Sequence, residues 1–191
     1  AIGDLLWRDA AGNLAVWLLN GASVTASVAL GNVPTTWSIA SHADFDGDGR
    51  ADILWRNATT GDVAIWFMNA INVTSAISVA NVGGTWNIVA TGDLNGDGKA
   101  DLVWRDASGN TAVWLMNGAS VTGGVGYGAT AGGWTISETG DFDGDGKADL
   151  LWRNISTGDT AIWFMNGTSV ASSATVANVP TTWTIQNVNV N

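Results

Sequence analysis

This sequence predicts an all-β fold assembled from four like units, and three observations lead there. First, the 12 tryptophans among 191 residues fall into three series. Trp7, Trp55, Trp104 and Trp152 form one; Trp17, Trp66, Trp114 and Trp163 the second; Trp37, Trp86, Trp134 and Trp183 the third, each stepping by 48 or 49 residues. All are therefore repeat positions, and a period of this size decides the architecture before any local signal does. Second, each period holds four short runs rich in Trp, Val, Ile and Thr, alternating with period two and punctuated by Gly, Asn and Asp. Third, no segment has a helical pattern of normal length, and 25 glycines argue against one. Four strands in a repeat of about 40–50 residues is the signature of a propeller blade. The expected fold is a β-propeller with four four-stranded blades per chain.

The elements follow in order. In the third period "WNIVATG" is the first strand, "ADLVWRD" the second, "TAVWLMN" the third and "SVTGGVGYGA" the last. The repeating units run over about 1–36, 37–85, 86–133 and 134–182, forming one domain. The chain opens on "GDLLWRD", a second strand, and closes on "WTIQNVNVN", a first strand. Residues 183–191 are thus expected to complete the first blade, covering two sheet edges. The same arrangement would serve a four-bladed monomer, half of an eight-bladed dimeric ring, or a piece of a longer array. "WRDAAGN" and "WRDASGN" alternate with "WRNATTGD" and "WRNISTGD", which points to duplication of a two-repeat unit.

Composition narrows the function. With 17 acids against 7 bases the net charge is −10, which argues against nucleic acid or an anionic membrane as partner. Charged residues are only 13% and hydrophobic ones 46%, so this is no disordered acidic tail. No apolar run approaches the roughly 18 residues of a membrane helix, so no membrane insertion is expected. There is no Cys, which excludes disulfides and thiolate chemistry. No signal peptide stands at Ala1, so the expectation is either a chain cut from a precursor or a cytoplasmic one.

Eleven of the acids crowd into three loops, "DFDGDGRAD", "DLNGDGKAD" and "DFDGDGKAD". Oxygen ligands fall at loop positions 1, 3, 5 and 9, with the position-7 carbonyl as a further donor. The sets are Asp44, Asp46, Asp48, Arg50 and Asp52; Asp93, Asn95, Asp97, Lys99 and Asp101; and Asp141, Asp143, Asp145, Lys147 and Asp149. Such a hard-oxygen cage suits calcium, which accepts six to eight oxygens at loose geometry, better than magnesium. An EF-hand is excluded, because its position-12 Glu is replaced here by Trp55, Trp104 or Trp152 inside a strand. Carboxylates this close repel one another without a cation. Three Ca²⁺ sites are expected, taking the formal charge from −10 to −4. At the fourth junction Asp4 matches position 9 but Val190 replaces the first Asp, so no site is expected there.

The loop motif followed by "[IL]-[LV]-W-R" and "A-[VI]-W-[LF]-M-N" resembles the FG-GAP/VCBS repeats of integrin-α-like calcium-binding propellers. The resemblance covers all four repeats. It implies a calcium loop between the first and second strands of a blade, and a secreted or cell-surface setting.

The remaining repeated residues read as follows. Tryptophans of the second and third strands are expected to pack between blades. Trp37, Trp86, Trp134 and Trp183 begin first strands after short loops and are the candidate ligand contacts. Arg8, Arg56, Arg105 and Arg153 each have one hairpin carboxylate nearby in sequence (Asp9, Asp62, Asp106 or Asp159), which suggests an ion pair tying hairpin to strand. His42 and Glu138 are unrepeated, and no nucleophile elbow or phosphate loop is present, so no enzyme is expected. The expected function is multivalent, lectin-like carbohydrate binding, with glycans or a cell-surface partner. The alternative is a structural or adhesive module of a larger protein without sugar binding.

Overall fold

A computed structural model describes residues 4–130 and 132–186, all strand and turn with no helix among them. Strands β1 (Leu5–Arg8), β2 (Asn13–Asn20) and β3 (Ser23–Asn32) form a three-stranded antiparallel sheet. Three four-stranded sheets follow: β4 (Trp37–Ala43), β5 (Asp52–Asn57), β6 (Asp62–Asn69) and β7 (Asn72–Asn81); β8 (Trp86–Gly92), β9 (Asp101–Asp106), β10 (Asn110–Asn117) and β11 (Ser120–Ala129); β12 (Trp134–Gly140), β13 (Asp149–Asn154), β14 (Asp159–Asn166) and β15 (Ser169–Asn178). In each sheet the strands stand in chain order, the up-and-down meander of a propeller blade. The expected all-β propeller fold class is therefore the one found. The strand expected over 183–191 is not formed at Trp183–Gln186, and 187–191 lie outside the described residues. Two compact units emerge, one of residues 1–44 and 48–84, the other of 45–47 and 85–191.

Burial explains the sequence pattern strand by strand. All six residues of β5 and of β13 are buried, as are the first four of β9. These second strands are covered on both faces, so polar alternation is lost and Trp, Leu and Ile run together. In the first unit Leu14, Val16, Val33, Ile53, Trp55 and Met68 form one core, with Trp37, Ala64 and Trp66 packed against it. In the second unit Leu94, Val103, Val113, Leu150, Trp152 and Met165 do the same, with Trp134, Ala161 and Trp163 alongside. Second- and third-strand tryptophans stack in pairs within each sheet: Trp55 on Trp66 at 5.2 Å, Trp152 on Trp163 at 4.7 Å. Such tilted pairs add about 0.5–1.5 kcal/mol beyond the area they bury.

The hairpins joining third to fourth strands need one residue at positive φ. Gly21, Gly118 and Gly167 supply it at φ 60–62°. The second repeat has Ala70 there, at φ 55°. A side chain in that region costs about 1–2 kcal/mol, part of which glycine returns through its greater freedom in the unfolded chain. Ala70→Gly is therefore expected to stabilise the protein by a few tenths to about 1 kcal/mol. A higher urea midpoint with unchanged slope is the expected result; a lower midpoint would contradict it.

The repeated arginines correct an expectation. Arg8 donates to the carbonyls of Trp37 (2.6 Å), Val33 (3.0 Å) and Pro34 (3.1 Å). Arg56 donates to those of Gly61, Val82 and Gly83, and Arg153 to those of Gly158, Val179 and Pro180. Among the described residues Arg8, Arg105 and Arg153 make no direct ion pair. The hairpin is tied to the strand as expected, but through main-chain carbonyls instead of the carboxylate. Those carbonyls lie at strand ends and turns, where Gly61, Gly158, Pro34 and Pro180 already accept one main-chain amide each and have a lone pair to spare, and a planar fork reaches several at once. The hairpin carboxylates do a different job. Asp9 accepts from the amides of Ala11 and Asn13 and from the Asn13 side chain, and Asp106 repeats that pattern at Ser108 and Asn110. Asp62 accepts from Thr60 and Asn81, and Asp159 from Thr157 and Asn178. These bonds hold all four carboxyls below the ordinary range.

Candidate metal centre

Each acidic loop leaves the end of a first strand and enters a second one. Its glycines allow the tight path: Gly47 and Gly49, Gly96 and Gly98, and Gly144 and Gly146 all lie at φ 80–84°. The position-1 carboxylate organises the turn. In the third loop Asp141 accepts from the amides of Gly144 (2.7 Å), Asp145 (3.1 Å) and Gly146 (3.0 Å). In the second, Asp93 accepts from Gly96, Asp97 and Gly98 in the same way. Asp44 holds Asp48 and Gly49.

This folding gathers the carboxylates. Asp141, Asp143 and Asp145 each place an oxygen within 4.8 Å of the others, and so do Asp44, Asp46 and Asp48. The second loop has the same backbone bonds but Asn95 at its third position. Part of the repulsion is relieved by the loop's own base. Lys147 Nζ donates to Asp145 at 2.7 Å and Arg50 to Asp48 at 2.9 Å. Its bond from Lys147 pulls the Asp145 carboxyl down, and the Lys147 ammonium is pushed up by Asp145 first and by Asp143 and Asp141 more weakly.

The position-9 aspartates do something the sequence did not reveal. Asp52, Asp101 and Asp149 are at most 1% exposed. Asp101 accepts the amides of Met116 (2.8 Å) and Leu94 (2.9 Å); Asp149 accepts those of Met165 (2.9 Å) and Phe142 (3.0 Å); Asp52 accepts that of Met68 (2.9 Å). Each joins its loop to the end of the third strand. Burial pushes Asp101 up to about 6 and Asp149 upward, and neighbouring loop carboxylates push the same way. Asp149 and Asp52 are not in the tight oxygen groups. In the second unit the loops are also knitted together. The Ala148 amide donates to the Asp93 carbonyl at 2.6 Å, and the Gly167 amide to the Leu94 carbonyl at 2.7 Å.

The donor set fits a hard cation. Clustered carboxylates, preoriented by main-chain amides on a glycine-rich turn, offer charged oxygens with no soft ligand among them. The candidate tryptophans lie elsewhere. Trp37, Trp86 and Trp134 begin β4, β8 and β12 and are half-buried, whereas Trp183 is 69% exposed and lies in no strand.

Residues 44–104 and 93–152 match the FG-GAP-like repeat, together more than half of the chain. The chain belongs to the FG-GAP-like repeat family. No curated protein matches it. FG-GAP-like repeats make propeller modules of the binding or adhesion type, often bind calcium, and are typical of extracellular or surface proteins. Among the described residues no helix is long and apolar enough to cross a membrane.

Proposed function

We propose that this chain is a calcium-stabilised binding module of a secreted or cell-surface protein, with carbohydrate as its ligand, presented at several repeats. The observation that carries the calcium reading is the oxygen cluster, met in Asp44, Asp46 and Asp48 and again in Asp141, Asp143 and Asp145. Three Ca²⁺ per chain would sit in the loops starting at Asp44, Asp93 and Asp141, where the ion would neutralise the crowded carboxylates. Half-buried tryptophans at repeat positions support the sugar reading, since an indole face matches the C–H face of a pyranose. Glycans or a glycosylated surface are the partners; nucleic acid is disfavoured by the charge of −10, and membrane insertion by the lack of an apolar run near the roughly 18 residues of a membrane helix. The acids serve the metal loops and the hairpin caps, so the reading is non-enzymatic. The chain would act as monomer or homodimer.

A structural or adhesive module without sugar binding is the second reading. It is favoured by the packing of Trp37 and Trp134 against the two cores. A glycan array probed with the calcium-loaded, folded protein separates the two. Retention on defined glycans, weakened at least tenfold by Trp86→Ala, is the expected result. No retention on any glycan would leave the structural reading.

A further inference from the structure

The four repeats are alike in sequence, but one junction departs from the others at four neighbouring positions. Where the first, second and fourth repeats have Leu30, Val79 and Val176, the third has Tyr127. Where they have Asn32, Asn81 and Asn178, it has Ala129; where they have Val33, Val82 and Val179, it has Thr130; and Gly133 replaces Thr36, Thr85 and Thr182. Each change alters a contact. Asn32, Asn81 and Asn178 bond back to their hairpins, which Ala129 cannot do. Tyr127 reaches past its sheet to donate to the Thr168 carbonyl at 2.9 Å and sets its ring edge-on to Trp163 at 5.5 Å. Gly133 lies at φ 84°, with Ser156 and Asn154 where a side chain would stand.

Thr130, one of the four, faces a hollow. Thr130, Trp134, Trp152, Ala161 and Trp163 line a hollow of about 240 Å³ in the second unit. The corresponding residues of the first unit are Val33, Trp37, Trp55, Ala64 and Trp66; the tryptophans and the alanine are placed alike in both cores, but Val33 is buried in its core whereas Thr130 is half-buried and outside the core cluster. Three indoles thus wall the hollow, and none of its five lining residues is charged. Two of its walls carry a polar atom that is buried and without a hydrogen-bond partner among the described residues: the Thr130 hydroxyl and the indole N–H of Trp152, itself 2% exposed. The indole N–H is also unpartnered at Trp55, so Thr130 is what distinguishes this junction. Buried polar atoms normally find partners; both are closed to solvent as they stand, and only the half-buried Thr130 can turn its polar atom towards the hollow. Behind the wall, the Arg105 guanidinium lies 5.1 Å from the Trp152 ring and donates to the Trp134 carbonyl, which holds both rings in place.

We propose that this hollow is a subsite for one neutral sugar ring, and that it is a single site per chain, not one of four. The proposal rests on the carbohydrate reading above and makes it local. Indole walls suit the apolar face of a pyranose; the Thr130 hydroxyl, on a half-buried side chain, would meet a sugar hydroxyl after a χ1 rotation; the volume lies below the range of about 300–1,000 Å³ of drug-sized sites, as one ring requires. A charged sugar would find no counter-charge on the lining.

The test uses the full chain in millimolar calcium, with methyl glycosides of glucose, galactose and mannose as probes. Calorimetry and ligand-observed NMR read affinity and stoichiometry. At least one glycoside is expected to bind at one site per chain, with a Kd on the order of a millimolar. Thr130→Val, which installs the residue the other repeats carry, is expected to weaken binding at least tenfold at unchanged melting temperature. Ala161→Leu, which fills the hollow, should abolish it. Should either variant fold poorly, wild-type stoichiometry still decides, with the Trp fluorescence change as a second readout. Binding at four sites, or binding indifferent to both folded variants, would overturn the subsite and leave the carbohydrate reading standing. No binding of any glycoside, with no glycan retained on the array, would overturn both.

Discussion

Gly61→Ala is expected to destabilise the first unit by at least about 3 kcal/mol, or to prevent folding altogether. Gly61 sits in the β5–β6 turn at φ 84°, where a side chain is already strained. A Cβ there would also collide with the carbonyl oxygen of Val82. That oxygen cannot retreat, because Arg56 donates to it at 2.7 Å and the Val82 amide donates to the Gly61 carbonyl at 2.7 Å. The substitution therefore attacks a turn, an arginine and a strand end at once. The same change at Gly49, also at φ 83° but with open space around its Cβ position, should cost only the strain of about 1–2 kcal/mol. Comparable urea midpoints for the two variants would contradict the close approach at Gly61.

Arg153→Met should cost about 3–5 kcal/mol, because it removes several hydrogen bonds at once in the second unit and leaves the Val179 carbonyl without the donor that Arg153 supplies, while keeping the apolar stem. Arg153 is 7% exposed and serves Gly158, Val179, Pro180 and the Thr160 hydroxyl. Arg105 is the internal control. It occupies the same place one repeat earlier but has a single carbonyl partner, Trp134, and one buried nitrogen without a hydrogen bond among the described residues. Arg105→Met should therefore be milder by at least about 1 kcal/mol, the worth of one lost bond. Thermal or urea unfolding of both variants in calcium gives the comparison. Equal losses would show that carbonyl collection is not what these arginines contribute.

Much of the fold could be read from spacing. The tryptophan period and the strand-length runs between turns fix four blades, because burying both faces of a second strand demands apolar residues wherever that strand recurs. The convergence of the carboxylates at positions 1, 3 and 5 in the first and third loops was legible for a similar reason: a short turn with glycines at fixed places must bring alternate side chains to one side. Two features were not. The arginines looked like ion-pair partners because a carboxylate stood near each in sequence, whereas the acceptors they reach are main-chain carbonyls, which leave no trace in composition. The position-9 aspartates looked like ordinary ligands, yet their oxygens accept amides from the third strand and, in two cases, from the loop itself. Which strand end faces a loop is a property of the blade, not of the motif. Tyr127, Ala129, Thr130 and Gly133 did carry a signal, as breaks in a repeat, and only the hollow beside Trp152 shows what the break does.

We propose that the three acidic loops hold calcium and that the ion holds the fold. A ligand that binds only the folded state stabilises it by about 2.7 kcal/mol per site at a hundredfold excess over its Kd. Calcium titration by calorimetry, on protein first stripped with chelator and paired with melting curves, tests both halves together. The expected result is three ions per chain, with a melting temperature that falls in chelator and is restored by calcium more effectively than by magnesium. No heat of binding at millimolar calcium, with identical melting curves in calcium and in chelator, would contradict it.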